Sequence, residues 1–176
     1  MHHSSRVRTV EAAKQSALDA FRDAPTPLFG IRDWSGFVAL GNHEHRSSET
    51  DSGDEASYSF SLEHGSADGD GAWVEVTSVI GADGDEDPRF VLETTGEFLT
   101  TDLDQTVESL AAAQISVDGS SSTVTGFRRG RCWVGWTVTA DSRIRLRARQ
   151  YPAEEVTLTR DIDLSRYVAG FLSAFG

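Results

Sequence analysis

Cys132-Trp133-Val134-Gly135-Trp136-Thr137-Val138-Thr139-Ala140-Asp141-Ser142-Arg143-Ile144-Arg145-Leu146-Arg147-Ala148-Arg149 reads as two extended runs around a short polar break. The second run alternates arginine with an apolar residue, a period of two that suits a strand and not a helix. On a strand, Arg143, Arg145, Arg147 and Arg149 share one side at a spacing of about 6.7 Å. That positive ladder suits phosphates, carboxylates or an acidic peptide. The loop decides what joins it. A three-residue loop puts Cys132, Val134, Trp136 and Val138 with Ile144, Leu146 and Ala148 on one apolar face and leaves Trp133 opposite Arg149, within cation–π reach. A two-residue loop sets Trp136 beside Arg147 instead. The three-residue loop segregates the faces better and is the expectation. Arg128, Arg129 and Arg131 extend the basic region onto the partner strand, in a run near 123–139 that bends at Gly126 or Gly130. The bland alternative is that all these arginines meet the protein's own acidic strands or water.

Upstream, charge is partitioned. Residues 1–40 carry five basic and four acidic side chains, residues 41–126 two and nineteen, and residues 127–176 nine and five, for a net charge of -12. Such blocks must be screened by salt or brought together, within the fold or across an interface such as a homodimer's. The net charge disfavours nucleic acid and anionic membranes as partners. A lone cysteine, Cys132, fits a reducing compartment, and no apolar run approaches the ~20 residues that span a bilayer, so a cytoplasmic location is expected. At 176 residues the chain fits one domain over 1–176, large enough to bury a core unaided; residues 1–8, with His2 and His3, are set aside as disordered or tag-like.

The remaining elements follow from periodicity. Val10, Ala13, Ala17, Leu18 and Phe21 predict a helix over 9–22, stopped by Pro25 and Pro27. Strands are expected near 34–42, at 58–63, at 72–80 and near 89–98, with 41–55 a mobile acidic loop that has no apolar residue to offset ordering. Leu103, Val107, Leu110 and Ala111 predict a second helix over 102–113, ahead of a turn at 119–122. A strand at 155–162 and a final helix capped by Asp163 complete the chain. The expected fold is α+β: a curved, mostly antiparallel sheet in the order α-β-β-β-β-α-β-β-β-α, with helices packed on one face. That order resembles secretion-chaperone-like folds, in which small acidic domains bind a segment of another protein, and implies an adaptor.

Chemistry-bearing motifs are few. His43-Glu44-His45 with His64 lacks the spacing of a zinc site, and the acidic runs 68–71 and 83–87 lack the glycine and glutamate of a calcium loop. Glu75 and Glu93 could pair across strands, but no nucleophile motif, phosphate loop or dinucleotide fingerprint occurs. Cys132 reads as an inert buried thiol. No catalytic residue, metal or cofactor is assigned. The expected function is non-catalytic protein binding, chaperone-like or immunity-type, through charge complementarity and an apolar patch at Arg143, Arg145, Arg147, Arg149, Arg128, Arg129, Arg131 and Trp133. The alternative is a binding protein or enzyme for a phosphate- or carboxylate-bearing small molecule, in a pocket lined by Trp73, Trp133, Trp136 and arginines.

Overall fold

A computed structural model describes residues 19, 27–33, 35–47, 57–80, 106–140 and 142–167. Its strands are β1 (Gly30–Ile31), β2 (Phe37–Ser47), β3 (Ser57–Ser66), β4 (Trp73–Ile80), β5 (Val107–Val117), β6 (Ser120–Arg129), β7 (Cys132–Val138), β8 (Arg143–Arg149) and β9 (Thr157–Thr159). They form one sheet in the order β1-β9-β5-β6-β7-β8-β4-β3-β2. Every pair is antiparallel except β5–β9, which is parallel.

The sheet curls. Phe29, just before β1 at one end of the order, donates its N–H to Ser78 Oγ on β4, near the other end, at 3.1 Å. Phe29 and Ile31 share a core with Val74 and Val76 of β4, Ile144, Leu146 and Ala148 of β8, Trp133 of β7, Val124 of β6 and Ile115 and Val117 of β5. One face of the curled sheet therefore supplies its own hydrophobic core. At about 25 cal/mol per Å² this burial is the main stabilising contribution.

This architecture overturns the α+β expectation and the chaperone-like resemblance that rested on it. Among the described residues helical conformation is confined to residue 19, a 3-10 turn at Ala153–Glu155 and residues 164–167. No packed helical layer covers a sheet face there. The largest correction falls on 102–113, where residues 107–117 are strand β5. A bulge between Leu110 and Ala113 explains the misreading. It lets Leu110 and Ala113, three apart, share the core face, a spacing that imitates a helix, before Ala113, Ile115 and Val117 resume strict alternation; Val107 lies on the other face with Cys132 and Val134. Asp118-Gly119 then makes the two-residue hairpin turn to β6, with φ of 50° and 81°. Such a turn needs positive φ at both positions, hence the Asp-Gly pair.

Three smaller corrections follow. Residues 41–47 belong to β2 rather than a mobile loop, because the seven residues Ser57 to Glu63 of β3 give their backbone a partner. The run at 123–139 is a β6–β7 hairpin turning at Gly130 (φ 58°), not one bent strand. The strand expected at 155–162 is only Thr157–Thr159. The final helix does begin after Asp163, whose Oδ1 accepts the Ser165 N–H at 3.1 Å. The helix at 9–22 apart from residue 19, the strand near 89–98, the acidic run 83–87 and residues 48–55 lie outside the described residues.

Gly126 and Gly135 face each other across β6–β7. A Cβ on Gly126 would collide with the Val134 carbonyl oxygen and come within 2.7 Å of Gly135 Cα. Backbone cannot yield as a side chain does, so Gly126→Ala should cost about 1–3 kcal/mol, measurable as a lowered urea midpoint with an unchanged slope.

Candidate functional site

The β8 ladder is built by its burial pattern. Ile144, Leu146 and Ala148 are fully buried in the core, while Arg143, Arg145, Arg147 and Arg149 are half-buried on the opposite face. Register brings Val79, Thr77, Glu75 and Trp73 of β4 beside Arg143, Arg145, Arg147 and Arg149. From β7 come Val138, Trp136, Val134 and Cys132 in the same order. The expected three-residue-loop register is therefore replaced by one of opposite parity. Trp136 pairs with Arg145, and Trp133 pairs with Ala148 rather than Arg149. The physical reason is that β7 is buried on both faces from Cys132 to Thr137. Neither face demands the apolar set, so segregation could not select the register.

The outcome is an arginine–tryptophan stack. The Arg143 guanidinium lies 4.9 Å from the Trp136 ring centroid and that of Arg145 5.8 Å, while Arg147 lies 5.8 Å from the Trp73 ring. Such contacts contribute roughly 0.5–1 kcal/mol each, more when desolvated. Trp133 is absent from this face; in the core its Nε1 donates to the Tyr151 carbonyl at 2.7 Å. The proposed pocket lined by all three tryptophans does not form, since Trp133 is on the other side of the sheet from Trp73 and Trp136.

Beside the stack runs a buried polar chain. Arg147 clamps the Glu75 carboxylate bidentately, Nε to Oε1 at 2.7 Å and Nη2 to Oε2 at 2.7 Å. Glu75 is fully buried. Thr77 Oγ1 donates to Glu75 Oε1 at 3.3 Å and meets Ser61 Oγ at 2.8 Å. Directly opposite Glu75 on β3 sits Glu63. Burial, then the Glu75 charge and a hydrogen bond to its carboxyl, push Glu63 up to about 7, against a downward pull from Arg147. The sequence reading placed a carboxylate partner for Glu75 at Glu93, which lies outside the described residues. Glu63 was missed, although the Ser57–Ser66 alternation around it carried the signal.

The other basic residues divide. Arg149 Nε donates to the Gly71 carbonyl at 3.0 Å. Arg129 pairs in register with Cys132, on the ladder's side, whereas Arg128 pairs with Trp133 and forms an exposed ion pair with Glu108 at 3.0 Å. Arg131 is exposed in the turn. Cys132 is buried on the ladder's side with Val134, Val107 and Phe127. Three ion pairs are Arg147–Glu75, Arg128–Glu108 and Arg160–Asp118. Each joins the basic 127–176 block to the acidic 41–126 block. Charge partition along the chain is thus met, at these pairs, by the fold itself.

His64 faces the core side, and His43 stands opposite Ser61 in register. Its Nδ1 lies 3.0 Å from the Val74 carbonyl and its Nε2 2.7 Å from the Tyr167 hydroxyl. The carbonyl can only accept, so Nδ1 carries the proton and Nε2 accepts from Tyr167. Burial lowers His64 to about 4, despite the opposing carbonyl bond. Burial also raises the Tyr167 phenol. This pair pins the C-terminal helical turn to β3 and β4.

No family model, curated protein or solved structure matches the chain.

Proposed function

We propose that the protein is a non-catalytic binder whose arginine–tryptophan face takes a small carboxylate- or phosphate-bearing ligand at Arg143, Arg145 and Trp136. The supporting observation is the Trp136 indole. The residue is 8% exposed, and its Nε1 is buried with no hydrogen-bond partner among the described residues. A buried donor left unsatisfied costs about 1–3 kcal/mol, so native structures rarely keep one without a role. Two guanidiniums flank it, the groups best suited to planar or tetrahedral anions.

Citrate and inorganic phosphate are suitable probes in a thermal-melt series, with sodium chloride at matched ionic strength as control. Saturating ligand at about a hundred times Kd adds about 2.7 kcal/mol, a rise of roughly 5–10 °C. Arg143→Gln with Arg145→Gln should abolish the rise. A melt that tracks ionic strength alone, in both proteins, contradicts the reading.

One observation favours a second reading, in which the face meets protein. Val138, paired in register with Arg143, is 67% exposed, an apolar residue at the end of the basic face. A second copy could bring carboxylates of the acidic block to it. Light scattering at low and high salt tests this: a dimer that dissociates with salt and is lost in Val138→Asp supports it, and a monomer at both salts excludes it. Among the described residues no helix is long and apolar enough to cross a membrane.

A further inference from the structure

The arginine–tryptophan face adjoins the carboxyl pair, and the two occupy neighbouring rows of the sheet. In one row Glu63 of β3, Glu75 of β4 and Arg147 of β8 stand side by side in register. In the next row stand Ser61, Thr77 and Arg145, with Trp136 of β7 beyond them. Directly opposed residues of an antiparallel pair turn to the same face, so both rows lie on the arginine side of the sheet. Hydrogen bonds join the rows. Thr77, opposite Arg145, donates to Glu75 Oε1 at 3.3 Å, and Glu75 is held by two bonds from Arg147. Glu63 is therefore two strands away from β8, about 10 Å at the usual strand spacing, and one row from Arg145.

Within the first row the Glu75 carboxylate and the Arg147 guanidinium cancel each other's charge, so Glu63 decides what remains. Protonated, Glu63 leaves the row neutral. Ionised, it gives the row a net negative charge and competes with Glu75 for the same guanidinium. Glu63 is half-buried, faced by Glu75 from β4 and, beyond it, by Arg147 from β8. On β2 the register places Gly41 opposite it, and His43 comes opposite Ser61 in the next row. On β3 itself the positions two residues away are Ser61 and Gly65, neither of them charged. Burial and the Glu75 charge raise Glu63 to about 7, so it changes charge near neutrality.

We infer that the proton on Glu63 regulates the neighbouring face, which holds an anion several-fold more tightly while Glu63 is protonated than when it is ionised. This regulation presupposes the anion site proposed above at Arg143, Arg145 and Trp136. A dianion there would stand on the order of 10 Å from the Glu63 carboxyl, where the repulsion of a partly screened charge amounts to about three- to fivefold in affinity. Coupling is reciprocal, so a bound anion must hold the proton on Glu63 more tightly by the same factor.

Sulfate is the test probe, because it stays a dianion across the whole range and contributes no titration of its own. It is titrated into the full chain at constant low ionic strength, at about pH 5.5 and about pH 8.5, with the Trp136 indole N–H resonance as reporter. Wild type should bind about three- to fivefold more weakly at the higher pH. Glu63→Gln is neutral at both and, like the protonated acid, can donate to Glu75, so it should keep the acid-side affinity throughout. A second measurement needs no variant: the Glu63 carboxyl carbon resonance, followed against pH in the wild-type chain, should move its midpoint up by about half a pH unit in saturating sulfate. Equal affinity at the two pH values, a midpoint that sulfate does not move, or a pH dependence that survives in Glu63→Gln and so belongs to His43 or another group would each overturn the regulation while leaving the anion site standing. Absence of any sulfate effect on Trp136 at either pH would overturn the site and its regulation together.

Discussion

Arg147→Ala is expected to destabilise the protein by about 3–5 kcal/mol, because it leaves a fully buried carboxylate without its counter-charge. For a domain of this size the loss corresponds to a melting temperature lower by about 10 °C. Three features place the effect near the top of that range. Glu75 is fully buried. Its two oxygens are held by two parallel bonds from one guanidinium. A second carboxyl, Glu63, faces it across β3–β4 and would meet it with no cation between. Glu75→Gln should be milder, since Arg147 then has Glu63 to turn to, and Glu63 should titrate below its native value of about 7 once the Glu75 charge is gone. The double variant Arg147→Ala with Glu75→Gln should recover part of the single-variant loss. A double-mutant cycle measures that coupling directly. Additive losses would mean that the pair does not interact as described.

The second large effect is an acid-side loss of stability from His64. Its folded pKa of about 4 lies below the ordinary value of 6.5. Between those values the unfolded chain binds a proton that the folded chain refuses, so stability rises with pH there. The contribution is fully present above pH 6.5 and is lost as pH falls toward about 4, amounting to about 3 kcal/mol. Glu63 works in the opposite direction. Its folded pKa is raised from 4.5 to about 7, so its contribution is present below 4.5 and lost as pH rises through 7. The two slopes oppose each other in the same window, and the wild-type profile should be flattened. Glu63→Gln removes one of them. Urea unfolding of that variant from about pH 4 to pH 8 should show the full His64 slope. A profile as flat as the wild type would refute the buried neutral imidazole. Tyr167→Phe leaves Nε2 without its donor and should cost about 1–3 kcal/mol.

How much of this was legible in the sequence depends on which physical signal each element carried. Arginine alternating with apolar residues at 143–149 identifies a strand and its two faces unaided, because one face is fully core. Trp73 to Ile80 and Ser57 to Ser66 are legible in the same way. Val107 to Val117 is not, since a bulge converts a period of two into a local spacing of three, and the alanines there favour a helix until β6 pairs with them. Trp136 defeats the face argument for a different reason. Patterning fixes register only where one face is wet, and β7 has none. Arg147 was named from the sequence as a recognition residue, yet its partner Glu63–Glu75 depends on cross-strand register, which local pattern does not encode.

Cross-strand nuclear Overhauser contacts in the folded chain test the central claim, that β8 turns its arginines toward Glu75 and Trp136. The structure requires backbone contacts pairing Trp136 with Arg145, Val134 with Arg147, and Arg147 with Glu75. Contacts pairing Trp133 with Arg149, with the Trp136 ring against Ile144 and Leu146, would contradict it.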